Sequence, residues 1–129
     1  MFNTHFNYIG TVARKKSSEL ILKKIKEINK DSLPVILMGD FNSIPDSEPI
    51  KILEKNMIDG LRISTKYLQG PQGTFSGFDI NNPISKRIDY IFTKNFQVLY
   101  YRNIDDRLEN NNHISDHLPV MAILKRLPS

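Results

Sequence analysis

The chain has no cysteine. Disulfides, a thiolate zinc site and a cysteine nucleophile are therefore excluded, and any metal must sit on oxygen or imidazole ligands. Long apolar runs are also missing. The longest are strand-sized, so no transmembrane segment is expected. Met1-Phe2-Asn3-Thr4-His5-Phe6 has neither the basic start nor the apolar core of a signal peptide and reads like the middle of a folded domain. Neither repeat, low-complexity tract nor linker divides the 129 residues, which suit one small domain. A large charge surplus is lacking too: the net charge of +4 favours a phosphate-rich partner only slightly. Nothing in the sequence fixes a cellular location.

What is present is an ordinary globular composition, 40% hydrophobic and 25% charged, enough for one core. Residues 1–6 read as a strand. From Val12 to about Asn29 the apolar spacing is helical, with Ile21, Leu22, Ile25 and Ile28 on one face and a Glu19–Lys23 pair on the outside. Val35-Ile36-Leu37-Met38, bounded by Pro34 and Gly39, is apolar on both faces and reads as a buried strand. A short helix follows, capped by Asp46 or Ser47 with Pro49 in its first turn and Ile50, Ile52 and Leu53 packing inward. Glycines and prolines make 64–83 a loop. Strands are expected over 88–93, 96–104 and 118–124, with a polar loop from Asn103 to His113 between the last two.

Three segments could carry chemistry. Gly39-Asp40-Phe41-Asn42 leaves the carboxyl end of the buried strand, where α/β proteins place their sites. On an extended segment Asp40 and Asn42 point the same way, so a carboxylate can take a proton from water while an amide orients it. The plain alternative is an Asx turn. A calcium loop fails, because Pro45 and Lys51 occupy the positions that need Gly and Glu. Asp89, inside Arg87-Ile88-Asp89-Tyr90-Ile91-Phe92, is a carboxylate in an apolar strand and needs a partner. Ser115-Asp116-His117 opens another apolar strand. There Asp116 is a hard oxygen donor of the kind Mg²⁺ prefers, and His117 can work as acid, base or phosphate contact. His5 could add a donor to developing negative charge, while His113, in a polar loop without an evident partner, reads as structural.

Taken in order, Phe2-Asn3-Thr4-His5-Phe6, Pro34 to Ser43, Gly73-Thr74-Phe75, Arg87 to Phe92 and Ser115 to Val120 resemble the endonuclease/exonuclease/phosphatase superfamily over nearly the whole chain. The resemblance implies an α/β fold, the C-terminal half of a four-layer α/β/β/α sandwich. That half is one mixed, mainly antiparallel sheet with helices on its outer face. It implies metal-dependent phosphoester hydrolysis by in-line attack of water. Asp40 and Asn42 would position and activate the water with some metal contact. Asp89 would orient His117, His117 would face the scissile phosphate, and His5 would contact phosphate. Asp116 would ligate Mg²⁺ or Mn²⁺. Arg87 and Thr74 are the substrate contacts it suggests, with a solvent salt bridge the alternative for Arg87. Asn7 departs from an acid common in relatives.

Members run to about twice this length, consistent with a large single α/β domain. Residues 1–129 are thus expected to be a partial domain, without the N-terminal half that carries a metal-ligating Glu. Glu19, Glu27, Glu48 and Glu54 all lie in helical contexts. Activity of this chain alone should be weak, and its strands 35–38 and 118–124 should expose an apolar sheet face covered by that half or by self-association. Two rivals stand beside this reading: a metal-free serine hydrolase built on Ser115, His117 and Asp89, and a binding-only remnant. The substrate is open, with nucleic acid slightly favoured by charge.

Overall fold

Residues 1–66 and 68–128 are described by a computed structural model of the chain. Its elements are β1 (Phe2–His5), α1 (Thr11–Ile28), β2 (Val35–Asp40), α2 (Glu48–Glu54), β3 (Ile58–Asp59), β4 (Asp89–Lys94), β5 (Phe96–Asn103) and β6 (Val120–Arg126). The doubly apolar Val35–Met38 run becomes the interior strand its composition demands. β2 pairs in parallel with β1 on one edge and antiparallel with β4 on the other, and β3 completes the order β1-β2-β4-β3. α1 makes the crossover that parallel pairing requires.

Alternation then sorts the side chains into two cores. Val35, Leu37, Tyr90 and Phe92 face the helices and pack with Ile25, Ile50 and Leu53. Phe41 sits at the centre of this core, fully buried, edge-on to Phe6, Tyr90 and Phe92 at 5.0, 5.7 and 5.4 Å between ring centroids. On the opposite face Ile36, Met38 and Ile91 meet Val98, Tyr101, Val120, Ala122 and Leu124 of β5 and β6. Both edges of β4 are already paired, so the chain turns at Asn95 (φ 62°) and β5 leaves the sheet. It forms a separate antiparallel ladder with β6. The result is three layers: helices, a mixed and mainly antiparallel four-stranded sheet, and the β5–β6 ladder.

Four details depart from expectation. Ile28 is 67% exposed at the last position of α1, although Ile25 in the same turn is buried. Lys23 reaches Glu27 at 3.8 Å rather than Glu19, and Lys24 takes the other oxygen of Glu27 at 2.7 Å. The last strand begins at Val120, since Pro119 has no N–H to give a ladder. Strand 35–38 exposes no face, because the β5–β6 ladder covers it; the exposed apolar surface is instead the outer side of β6, Met121 and Ile123. No helix among the described residues is long and apolar enough to cross a membrane.

Candidate active site

The strand registers assemble the site. Parallel pairing sets His5 beside Asp40, and antiparallel pairing sets Asp40 opposite Asp89, so three side chains line up across three adjacent strands at one end of the sheet. The ladders run one step further, with Phe6 N–H donating to the Asp40 carbonyl (2.8 Å) and Phe41 N–H to the Ile88 carbonyl (2.9 Å). Gly39 makes the β1–β2 approach feasible. Its φ is +145°, and a Cβ there would lie 1.8 Å from the Thr4 carbonyl oxygen.

Asp40 and Asp89 are like charges on neighbouring strands, and His117 lies between them, delivered from the segment leading into β6. Its Nδ1 is 2.9 Å from Asp89 Oδ2, and its Nε2 is 3.7 Å from Asp40 Oδ2. His5 Nε2 lies 3.4 Å from that same Asp40 oxygen. Both dyad partners titrate high. Burial pushes the Asp89 carboxyl up, resisted by hydrogen bonds from Thr74 and His117, while the Asp40 charge adds to the rise. For His117, burial disfavours the cation, but the hydrogen bond and charge of Asp89, with Asp40 and Asp116, outweigh it and hold the imidazole above its ordinary value.

Asn42 enters differently from the extended arrangement expected. Its backbone is left-handed (φ 45°), and its N–H closes an Asx turn on Asp40 Oδ1 at 2.8 Å. Its side-chain amide donates to the Phe6 carbonyl at 2.7 Å, which leaves the amide oxygen for a water or a cation. The Asx turn offered as the plain alternative is therefore present. Phe41, buried between the two polar residues, ties the turn to the helix-side core.

Asp40, Asp89 and His117 present ligand atoms within 4.8 Å of one another, a grouping that Asp116 does not join among the described residues. Asp116 instead uses its backbone carbonyl, which accepts from Ser76 N–H (2.8 Å), and its carboxylate receives a long 3.5 Å contact from the Ser115 hydroxyl. Ser115 Oγ accepts the His117 backbone N–H at 3.2 Å, so the imidazole edges belong to Asp89 and Asp40 and no serine triad forms.

Two residues expected at the substrate are buried. Arg87 has its guanidinium bonded to Asp59 and stacked 4.3 Å over the Tyr90 ring, so its charge is already paired within the protein. Thr74 is fully buried behind Asp89. His113 does have partners: Nε2 lies 3.0 Å from the Asp79 carbonyl oxygen, joining the 76–82 and 104–113 loops. Sequence reasoning also missed Phe75, whose ring stands edge-on to His117 at 5.1 Å. The only signal was its place in Gly-Thr-Phe, with no periodicity around it.

A cleft of about 220 Å³ opens over the cluster, walled by Met38, Asp40, Asp89, Leu118 and Val120. Beyond His117 lies a largely apolar recess of about 440 Å³ bounded by Ile104, His113, Ile114 and Pro119.

The chain is similar to several solved structures. A conserved protein of unknown function from Enterococcus faecalis V583 shares 30% identity and superposes with a TM-score of 0.87, covering 96% of this chain and 48% of its own. A family protein from Bacteroides thetaiotaomicron shares 33% identity (TM-score 0.85; 95% and 48% covered). The mannosyl-6-phosphatase of Bacteroides thetaiotaomicron VPI-5482 shares 32% (TM-score 0.86; 96% and 50%). The chain thus spans about half the length of these structures. No curated protein matches it. The sequence profile described as the Endonuclease/Exonuclease/phosphatase family matches residues 4–117, a span that opens just before His5 and closes on His117. The chain belongs to that family.

Proposed function

We propose that this chain supplies the C-terminal part of a metal-dependent phosphoester hydrolase active site, with water as nucleophile. The observation that carries the reading is the Asp40–His117–Asp89 cluster at the mouth between the two sheets, with His5 alongside. Asp89 holds His117 Nδ1, so Nε2 is the edge available to a phosphoryl oxygen. Asp40 can accept a proton from water, and Asn42 can orient that water through its free amide oxygen. His5, mostly exposed, can donate to the phosphate from the β1 side.

The donor set fits a hard divalent cation. Asp40 Oδ2 lies 3.4 and 3.7 Å from the two imidazoles, too far for strong hydrogen bonds, and so keeps lone pairs free. Carboxylate and amide oxygens suit Mg²⁺ or Mn²⁺. Asp40 and Asn42 would hold such an ion; Asp116, expected as a ligand, stands outside the Asp40–Asp89–His117 grouping. When bound it would supply neutralising charge to the phosphoryl and leaving oxygens.

The 440 Å³ recess is of a size to receive an organic group attached to the phosphate. The similarity to a mannosyl-6-phosphatase makes a sugar phosphate the first substrate to test, with an oligonucleotide as the second. The test is hydrolysis of both by this chain with Mg²⁺, with Mn²⁺ and with EDTA, beside Asp40→Ala and His117→Ala. Weak activity that needs the metal, falls at least about a hundredfold in either variant, and rises on mixing with the N-terminal half of a relative supports the reading. Hydrolysis that survives EDTA or both substitutions refutes it. No metal-dependent hydrolysis even in the mixture would favour a binding-only role.

A further inference from the structure

The Gly73-Thr74-Phe75 segment belongs to no named strand, yet it runs between the two pieces of chain that carry the Asp89–His117 pair. On one side Thr74 and Phe75 N–H groups donate to the Lys86 carbonyl at 2.9 and 3.0 Å. On the other the Thr74 carbonyl accepts Leu118 N–H at 2.7 Å. Gly73 is pinned as well, because a Cβ there would meet the Ile84 carbonyl oxygen at 2.6 Å. The segment is a splint across the site.

Within it, Thr74 is 0% exposed. Its Oγ1 accepts two backbone N–H groups, from Ile88 (3.0 Å) and Asp89 (3.1 Å). Thr74 thereby grips the backbone of the residue whose carboxylate oxygen lies 2.9 Å from His117 Nδ1. The neighbouring residue acts on the other partner, with the Phe75 ring held edge-on against the His117 imidazole and Lys86 Nζ 5.1 Å above the same ring.

We propose that Thr74 is a positioning residue for this pair, its buried hydroxyl oxygen fixing the Asp89 backbone so that the carboxylate meets His117 Nδ1. Two hydrogen bonds accepted by one buried oxygen hold the Ile88–Asp89 backbone in place. A fixed carboxylate fixes the ring, and the ring directs Nε2 toward Asp40, 3.7 Å from its Oδ2. The inference rests on the reading of His117 as the phosphate-facing group, but its structural half can be measured without catalysis.

The experiment compares Thr74→Val, which keeps the shape and removes the hydroxyl, with Thr74→Ser, which restores it. The first readout is the imidazole of His117 in the full chain with EDTA, by long-range ¹H–¹⁵N NMR. Wild type and T74S should show one hydrogen-bonded Nδ1–H resonance, and T74V should lose it. The second is metal-dependent hydrolysis, where T74V should lower kcat roughly 10–100-fold with KM nearly unchanged, and T74S should stay within about threefold of wild type. A T74V chain that keeps the Nδ1–H resonance overturns the proposal, as does a T74S chain that falls as far as T74V. Should T74V not fold, Thr74→Cys, a poor hydrogen-bond acceptor of similar bulk, takes its place in both readouts. If no chain hydrolyses anything, wild type included, the functional reading fails, while the NMR comparison still decides the role of Thr74.

Discussion

Replacing Arg87 by Met separates the two roles this residue could have. Its side chain is 7% exposed, and its partner Asp59 is 1% exposed. Methionine keeps much of the volume but strands the Asp59 carboxylate, which then has Arg62 Nε at 3.6 Å and the Leu61 N–H at 3.2 Å for company. Breaking a buried pair from one side costs about 3–5 kcal/mol. Loss of the cation–π contact with Tyr90 adds about 1 kcal/mol. Arg62 and the Leu61 N–H offset part of this, so a net destabilisation of roughly 3 kcal/mol is expected. At about 4 °C per kcal/mol for a chain of this length, the melting temperature should drop by roughly 12 °C. The assay is thermal and urea unfolding of R87M, D59L and the double variant. Removing both charges should recover most of the loss, because a buried pair replaced by apolar groups is often neutral. A refuting result would be R87M within about 0.5 kcal/mol of wild type, together with a raised KM. That pattern would put the guanidinium on the substrate, where the sequence alone suggested it.

Four further outcomes follow from the structure. In the metal-free chain His117 should titrate above the ordinary imidazole range and Asp89→Asn should bring it down; an unchanged value in D89N would break the link between them. Both Asp89 and His117 are shifted upward, so the folded state holds protons more tightly than the unfolded one. The stabilisation due to His117 is therefore full below its unfolded pKa and lost as pH rises through the folded one, readable as a fall in urea midpoint as pH climbs past the ordinary imidazole range. Gly39→Ala should cost more than about 1 kcal/mol and release β1, seen as lost hydrogen-exchange protection at Phe2–His5. Met121 and Ile123 leave apolar surface on the outer side of β6, so sedimentation velocity should show self-association that M121K/I123K abolishes; a wild-type monomer would contradict this.

The candidate site was legible where chemistry and local pattern coincide. Asp40, Asn42 and Asp116-His117 each end or precede an apolar run, and such polar residues stand out. Asp89 stood out because an apolar strand cannot leave a carboxylate unpartnered. What stayed hidden depends on contacts between distant segments. Nothing local announces that Asp59, in a two-residue strand, is the partner of Arg87, or that Thr74 faces Asp89 from behind. The separate β5–β6 ladder was equally hidden, because alternation reports which faces are apolar and not which edge of β4 is already occupied. At Ile28 and Lys23 the helical spacing was right, but which residue at a helix end stays exposed, and which glutamate a lysine meets, are decided by packing.

The line of His5, Asp40 and Asp89 across three strands has a kinetic consequence. Every pairing that builds it joins remote parts of the chain, and His117 arrives from a fourth. Contacts of that kind form late and together, since loop-closure entropy must be met before any of them is rewarded. No partially folded species of this chain should hold a working fraction of the site. Recovery of the His117 imidazole resonance during refolding would then keep time with the whole domain, making one side chain a clock for the fold.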